Sequence, residues 1–71
     1  MEVKFANCYV PVWKIRKGTL VLADLRDFGN TLCFISGIYN DLPGKYWFRV
    51  ENGFGIDTEI QSDTITWLEP H

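Results

Sequence analysis

The residues that most often carry catalysis or metal binding are few in this sequence and lie far apart. The 71 residues include one histidine, His71, and two cysteines, Cys8 and Cys33. Two thiols and a histidine at the end of the chain do not supply the ligands of a closed tetrahedral site. No serine or cysteine comes with a base and an orienting partner. We therefore predict that the protein is not an enzyme, with no catalytic residue, cofactor or metal ion.

Two further groups of acidic residues are compatible with metal chemistry. Asp57 and Glu59 lie on one side of an extended segment, with Asp63 nearby. We predict that these residues form a solvated acidic edge, and a divalent-cation site is the alternative. The tripeptide 27–29, DFG, matches the magnesium-binding tripeptide of protein kinases. The Gly-rich loop, strand lysine and catalytic-loop aspartate that this chemistry also needs are missing from the sequence. We predict a β-turn there.

The segment 45–50, KYWFRV, alternates between two kinds of side chain. Successive side chains of a strand point to opposite faces of the sheet. One face is apolar and is predicted to join the core; it carries Tyr46, Phe48 and Val50. The other face combines a large aromatic ring with two cations; it carries Lys45, Trp47 and Arg49. This second face is the most informative feature of the sequence.

The aromatic and basic face is typical of a protein-binding surface, because tryptophan, tyrosine and arginine are enriched among interface hot spots. We predict a non-enzymatic protein-interaction module with Trp47 and Arg49 as anchors and Lys45 or Tyr39 at the rim. The alternative is that Trp47 covers the open end of its own fold. Trp13 and Trp67 are predicted to serve in that way, since both lie on alternating stretches.

A single-stranded nucleic-acid-binding module is the second hypothesis. Small barrels hold single strands with exposed aromatic rings flanked by basic side chains, and a second basic group follows at Lys14, Arg16 and Lys17. The seven Lys and Arg against nine Asp and Glu leave a net charge of −2, which disfavours phosphate neutralisation. A homo-oligomer that uses an apolar face or a strand edge is the third alternative.

Composition predicts one small domain over residues 1–71 with a core of its own. The hydrophobic fraction is 46% and the aromatic fraction 15%, which is too high for a disordered chain. No apolar stretch approaches the ~18 residues of a membrane span, and the N-terminal segment lacks the apolar block of a signal peptide. We therefore expect a soluble, cytoplasmic protein with two reduced, buried thiols that behave as small apolar side chains. A disulfide between Cys8 and Cys33 is the alternative.

Turn signals at short, regular intervals predict an all-β chain. Pro43 and Gly44 close a turn over 40–44, and Asn52-Gly53 is a strong hairpin signal. Gly37 predicts a bulge in a central strand, and Ser62 or Asp63 caps a short helical or 3₁₀ turn. The predicted core consists of Val21, Ala23, Leu25, Leu32, Phe34, Ile38, Tyr46, Phe48, Val50, Ile56, Ile65 and Trp67.

The order of these segments resembles that of SH3-like barrels. A strand follows Lys17-Gly18, the central strand carries Gly37, YWFRV forms a third strand, and a tight turn precedes the last one. The resemblance covers residues 17–69 and implies a small antiparallel barrel of about five strands. The first sixteen residues are then an extra N-terminal strand or arm. An OB-like barrel is the alternative, although its usual helix is missing.

The closing segment 64–70, TITWLEP, resembles the end of some small proteins of unknown function that phages and prophages encode. The likeness rests on Ile65, Trp67 and Pro70, together with the strand LVL at 20–22. It departs from that pattern where a histidine and a first proline are expected. The resemblance implies an origin in a mobile element, where short acidic proteins often bind and inhibit a host protein or complex.

Overall fold

The computed structural model describes residues 1–42 and 45–70. Within them the chain forms seven strands: β1 (Glu2–Lys4), β2 (Tyr9–Pro11), β3 (Leu20–Leu25), β4 (Gly29–Leu42), β5 (Lys45–Glu51), β6 (Asp57–Gln61) and β7 (Ile65–Trp67). Two 3₁₀ turns, Val12–Lys14 and Ser62–Thr64, complete the elements, and the described residues contain no α-helix. The all-β prediction is confirmed, as is a short 3₁₀ turn at Ser62–Thr64. The prediction that Ser62 or Asp63 caps this turn is wrong, because both lie within it and its N-cap is Gln61. None of the described residues forms a helix long and apolar enough to cross a membrane.

The strands form two antiparallel sheets. Five strands pair in the order β6-β5-β4-β3-β7, and β1 pairs with β2. Because β6 and β7 are the two edges of the larger sheet, the described residues do not form the closed barrel that the sequence predicted. Only the three residues Ser62–Thr64 separate these edge strands, and such a turn spans only ~6 Å. The sheet must therefore curl until its two edges approach each other.

Three of the predicted connections are seen in the structure. Asp27 and Phe28 of the DFG tripeptide lie in the turn between β3 and β4, and Gly29 begins β4. The Phe28 N–H donates to the Leu25 carbonyl at 3.1 Å, so the β-turn prediction is confirmed. The predicted hairpin at Asn52-Gly53 joins β5 to β6. There the Asn52 side-chain oxygen accepts hydrogen bonds from the N–H groups of Phe54 and Ile56. Of the predicted turn 40–44, residues 40–42 belong to β4, whereas Pro43 and Gly44 lie outside the described residues.

The bulge predicted near Gly37 is present in β4. Ile35 pairs with Val50 and Gly37 with Arg49, so Ser36 is an extra residue on this side of the ladder. One extra residue reverses which side chains face the core. Before the bulge odd-numbered residues such as Ile35 are buried, and after it Tyr39 faces outward beside Trp47. The central position of β4, also predicted, is confirmed by the strand order.

Most of the predicted core is buried: Val21, Ala23, Leu25, Tyr46, Phe48, Val50, Ile65 and Trp67. Ile38 and Ile56 are partly buried against it. The prediction is wrong for Leu32 and Phe34, which are 53% and 48% exposed. They pair with the outward residues Leu22 and Leu20 of β3, and Cys33 and Ile35 fill the core instead. This part of β4 is apolar on both faces, so the sequence has no alternation of apolar and polar residues that would indicate which face is buried.

The first residues form a second layer over the core, and so the predicted N-terminal addition is a two-stranded hairpin. Its buried side chains are Val3, Phe5, Val10 and Ile15. The Phe5 ring lies 5.6 Å from that of Phe48 and 5.0 Å from that of Trp67, measured between centroids. The core is thus closed between β1–β2 and the curled sheet. Trp67 is buried as predicted, but Trp13 is 70% exposed because it stands on the 3₁₀ turn 12–14 rather than on a strand.

The same hairpin also closes one edge of the larger sheet. The Asn7 side-chain amide donates to the Trp67 carbonyl at 2.9 Å, and its oxygen accepts from the Trp67 N–H at 2.9 Å. The Ala6 N–H donates to the Ile65 carbonyl at 2.8 Å. The Asn7 side chain thereby replaces a neighbouring strand along β7. An edge covered in this way is protected from pairing with another chain.

We expect Asn7→Ala to lower the free energy of unfolding by about 1–2 kcal/mol, because it removes two hydrogen bonds and leaves the Trp67 peptide groups without partners. Urea unfolding followed by tryptophan fluorescence measures this loss. Asn30→Ala is the matched control, since Asn30 is an exposed asparagine of β4 and its removal is expected to change stability by less than ~0.5 kcal/mol. Equal effects of the two substitutions would contradict the role of Asn7.

Candidate functional site

The outward side of β5 carries the side chains that the sequence singled out. Tyr46, Phe48 and Val50 are buried, and so the opposite face of the strand points away from the core, as predicted. Across the ladders Trp47 pairs with Tyr39 of β4 and Gln61 of β6. We call the surface formed by these neighbouring outward side chains the tryptophan face; it consists of Tyr39, Trp47, Arg49, Asp57 and Glu59.

Trp47 lies between two shallow depressions of the surface and borders both. One, of about 550 Å³, is lined by Trp47 together with Tyr39, Asp41 and Glu59. The other, of about 460 Å³, lies towards β6 and Arg26. Trp47 is half-buried and does not belong to the core cluster. The structure therefore places Trp47 on the outward surface, outside the cluster of core residues.

The Tyr39 ring packs over Gly37, which lies two residues before it on the bulged strand. A Cβ atom at Gly37 would lie 3.0 Å from the Tyr39 hydroxyl oxygen and 3.1 Å from its Cε2 atom. The tyrosine ring therefore occupies the space that a side chain at position 37 would take. Packing of an aromatic ring over a glycine is a recurrent way to stabilise a sheet surface. The ring is 46% exposed and so remains accessible beside Trp47.

Arg49 is held in place by a carboxylate of the neighbouring strand. Its Nε donates to Asp57 Oδ1 at 2.7 Å and its Nη2 to Asp57 Oδ2 at 2.8 Å, the two-pronged geometry that fixes both side chains. The hydrogen bond and charge of Asp57 raise the pKa of Arg49, with a smaller contribution from Tyr39. In turn, Arg49 lowers the pKa of Asp57. The guanidinium group is thus oriented and its charge is balanced.

This ion pair gives a testable pH dependence. In the folded chain we expect Asp57 to titrate below the ~3.9 of an ordinary aspartate, because Arg49 stabilises its charged form. A lowered folded-state pKa contributes stability that is present above the unfolded-state pKa and is lost as the pH falls through the folded-state value. A carboxyl-carbon NMR titration measures the midpoint of Asp57. In Arg49→Ala the midpoint is expected to move up to the ordinary value, and an unchanged midpoint would contradict the assignment.

Of the basic residues other than Arg49, Arg26 borders one of the two depressions beside Trp47, whereas Lys45 and Lys14 lie elsewhere. Lys45 is exposed at the start of β5 but borders a separate depression with Lys4, Tyr46 and Asp63. The ammonium group of Lys14 lies over the Trp13 ring, 5.6 Å from its centroid, and so belongs to the N-terminal layer. The structure thus brings together Tyr39, Trp47 and Arg49 and leaves Lys45 at the margin.

The acidic residues and the thiols show no arrangement for metal binding or nucleophilic chemistry. Among residues 1–42 and 45–70 no three His, Cys, Asp or Glu side chains are grouped so as to hold a metal ion, and Asp57 is bound to Arg49. Cys8 and Cys33 are free thiols. Burial raises the pKa of both, which disfavours the reactive thiolate. His71 lies outside the described residues.

A second outward surface was not identified from the sequence. Leu20 pairs with Phe34 and Leu22 with Leu32 across the β3–β4 ladder, on the side away from the core. We call this surface the leucine face; it consists of Leu20, Leu22, Leu32 and Phe34. The alternation of large apolar residues at 20, 22, 32 and 34 was the available signal, but the sequence-based prediction places Leu32 and Phe34 in the core and assigns Leu20 and Leu22 to neither the core nor a binding surface.

Both candidate surfaces are therefore outward sheet faces, and neither contains an arrangement of catalytic groups. The tryptophan face is aromatic and charged, whereas the leucine face is aliphatic apart from Phe34. Their assignment rests on the geometry of this chain alone. No protein-family model matches the sequence, and no curated protein or solved structure shows a significant match to it.

Proposed function

We propose that this chain is a non-enzymatic protein-interaction module and that the tryptophan face is its binding surface. Trp47 and Arg49 are the anchors, Tyr39 lies beside them and Lys45 forms the rim. The observation that carries the proposal is the side-by-side position of Trp47 and Tyr39 on an outward sheet face. Buried aromatic anchors surrounded by polar groups supply most of the binding energy of protein interfaces.

The charges of this surface favour a protein over a nucleic acid as the partner. Within the tryptophan face Arg49 provides one positive charge, and Asp57 and Glu59 provide two negative charges, so the sum is −1. Arg49 already donates two hydrogen bonds to Asp57 and would have to give them up to contact a phosphate. Non-specific nucleic-acid affinity comes mainly from the neutralisation of phosphates by free cations. A polar surface without an excess of positive charge instead suits the rim of a protein interface.

The anchors are also preorganised, which reduces the cost of binding. Tyr39 packs in the space above Gly37, and Asp57 holds Arg49 through two hydrogen bonds. Immobilising a flexible side chain at an interface costs about 0.5–1.5 kcal/mol. Side chains that are already ordered avoid part of this cost, so the same contacts yield a higher affinity.

The SH3-like relationship of the fold is part of the proposal. It is supported by the strand order β6-β5-β4-β3-β7 and by the 3₁₀ turn that links the last two strands. We further propose a cytoplasmic protein that inhibits a host protein or complex by occupying one of its surfaces. The resemblance of segment 64–70 to small phage-encoded proteins motivates this part of the proposal.

Capture of a partner from a lysate of the source cells, with and without nuclease, tests the proposal. The wild type is compared with Trp47→Ala/Arg49→Ala and with the control Phe54→Ala, whose ring is 92% exposed in the β5–β6 hairpin. We expect a protein that survives nuclease and is retained by the control but lost by the double variant. Loss of the captured material with nuclease, together with a steep fall of affinity with salt, would instead support the nucleic-acid hypothesis.

A further inference from the structure

We infer that the leucine face is the interface of a homodimer, in which two copies of this chain pack face to face through their β3–β4 ladders. This surface lies on a different part of the sheet from the tryptophan face, and the inference does not depend on the proposed function. Leu20, Leu32 and Phe34 are 37%, 53% and 48% exposed. Soluble monomeric proteins rarely expose large apolar side chains as a contiguous patch unless it binds something.

The register of the strands makes the patch contiguous. Leu20 lies opposite Phe34, and Leu22 lies opposite both Leu32 and Thr66 of β7. Directly opposed side chains of neighbouring strands have Cβ atoms ~5 Å apart. The four apolar side chains therefore touch one another in two adjacent rows. No charged residue lies within these rows of the β3–β4 ladder.

The shape of the patch favours another sheet over a peptide or a helix. The depressions at β6, around Trp47 and beside Lys45 are lined by residues outside the leucine face. Recognition of a helix or a proline-rich segment uses a groove. An outward sheet face with alternating large side chains instead packs against a second sheet at a spacing of ~10 Å.

The charges at the ends of β3 favour a second copy of the same chain. Lys17 precedes the strand, and Asp24 lies near its other end on the outward side. In the proposed dimer the two-fold axis lies between the two sheets and perpendicular to the strands, so it reverses the direction of the partner strand and each end of β3 meets the opposite end of the other copy. Lys17 of each copy then faces Asp24 of the other. A two-fold dimer thus pairs opposite charges twice, around an uncharged centre.

The size of the patch sets the expected strength of the dimer. Four large side chains form less than the roughly 800 Å² per partner of a standard interface. We therefore expect a dimer that dissociates on dilution. Sedimentation velocity over a range of protein concentrations is accordingly the appropriate measurement, because it detects the shift between monomer and dimer.

The test compares the wild type with Leu32→Lys, which places a charge at the centre of the patch, and with the control Phe54→Lys, which places the same charge on the exposed β5–β6 hairpin. We expect the wild type and the control to dimerise with rising concentration and Leu32→Lys to remain a monomer. Circular dichroism of each variant establishes that the fold is retained. A wild type that stays monomeric at the highest concentration would overturn the inference, as would a Leu32→Lys dimer of wild-type strength.

A charge exchange tests the arrangement without altering the apolar residues. Lys17→Asp and Asp24→Lys are each expected to raise the dimer dissociation constant about tenfold, because each places like charges opposite one another. The double variant Lys17→Asp/Asp24→Lys restores opposite charges and is expected to recover most of the wild-type affinity. Failure of the double variant to recover dimerisation would contradict the two-fold arrangement. This readout remains decisive if Leu32→Lys fails to fold.

Discussion

Phe5→Ala is expected to leave the chain without a cooperative unfolding transition at room temperature. Phe5 is 1% exposed and packs between Phe48 and Trp67, at centroid distances of 5.6 and 5.0 Å. Truncation of a buried phenylalanine to alanine costs about 3–5 kcal/mol, since it removes apolar contacts and leaves a cavity. A single core in a chain of this size supplies only about 3–5 kcal/mol of net stability. The expected loss therefore equals the whole stability.

Urea unfolding, followed by circular dichroism and tryptophan fluorescence, measures this effect. Phe54→Ala is the matched control because the Phe54 ring is 92% exposed, and its loss is expected to change the free energy of unfolding by less than ~0.5 kcal/mol. A Phe5→Ala variant that unfolds cooperatively within about 1 kcal/mol of the wild type would show that the N-terminal hairpin does not close the core.

The second large effect concerns binding. Trp47→Ala is expected to lower the affinity for the captured protein partner by about thirtyfold or more, which corresponds to the ~2 kcal/mol of a hot-spot residue. The stability of the free chain is expected to change much less, by about 1 kcal/mol, because the ring mainly contributes cross-strand contacts on an outward face. Calorimetric titration of the partner with each variant measures the first quantity, and urea unfolding the second.

Tyr9→Ala provides the control for this prediction. Tyr9 is an exposed aromatic residue of β2, at 58%, and lies in the N-terminal layer rather than on the tryptophan face. Its truncation is expected to leave the affinity for the partner unchanged. If Trp47→Ala binds as tightly as the wild type, or if Tyr9→Ala is equally weakened, the tryptophan face is not the binding surface.

The faces of β5 were predictable from the sequence because its apolar residues alternate with cations. Burial of a lysine or arginine without a partner is too costly, so Lys45 and Arg49 determine which face of β5 is outward. Trp47 lies on the same face of the strand. In β4 no charged residue occurs between Gly29 and Asn40. Leu32 and Phe34 were therefore assigned to the core in place of Cys33 and Ile35, which moved the prediction to the wrong face.

The contacts of the site depended on the register, which the sequence did not determine. Asp57 was recognised as part of an acidic edge, but its contact with Arg49 requires the pairing that the β5–β6 hairpin imposes. Likewise Tyr39 reaches Trp47 because Ser36 is an extra residue in the ladder. Gly37 indicated the bulge but not its position within the ladder. Pairing across strands is set by turn geometry and bulges, which the pattern of apolar residues specifies only approximately.

The N-terminal hairpin was predicted as an addition to the fold, but its contribution to the core was not. Its strands β1 and β2 have three residues each, too few for alternation to be recognised. Phe5 lies after β1, in the turn where its N–H donates to the Cys8 carbonyl at 2.8 Å. A buried aromatic residue in a turn has no periodic signal in the sequence. Its role became apparent only from its contacts with Phe48 and Trp67.

NMR mapping of the chain tests our proposal that a protein partner binds the tryptophan face. The isotope-labelled chain is titrated with the captured partner, and the backbone and indole signals that shift or broaden are assigned to residues. We expect the affected signals to cluster at Tyr39, Trp47, Arg49 and their neighbours on β6, with the Trp47 indole among the most perturbed. A cluster confined to other surfaces, with the Trp47 indole unchanged, would show that the partner does not bind the tryptophan face.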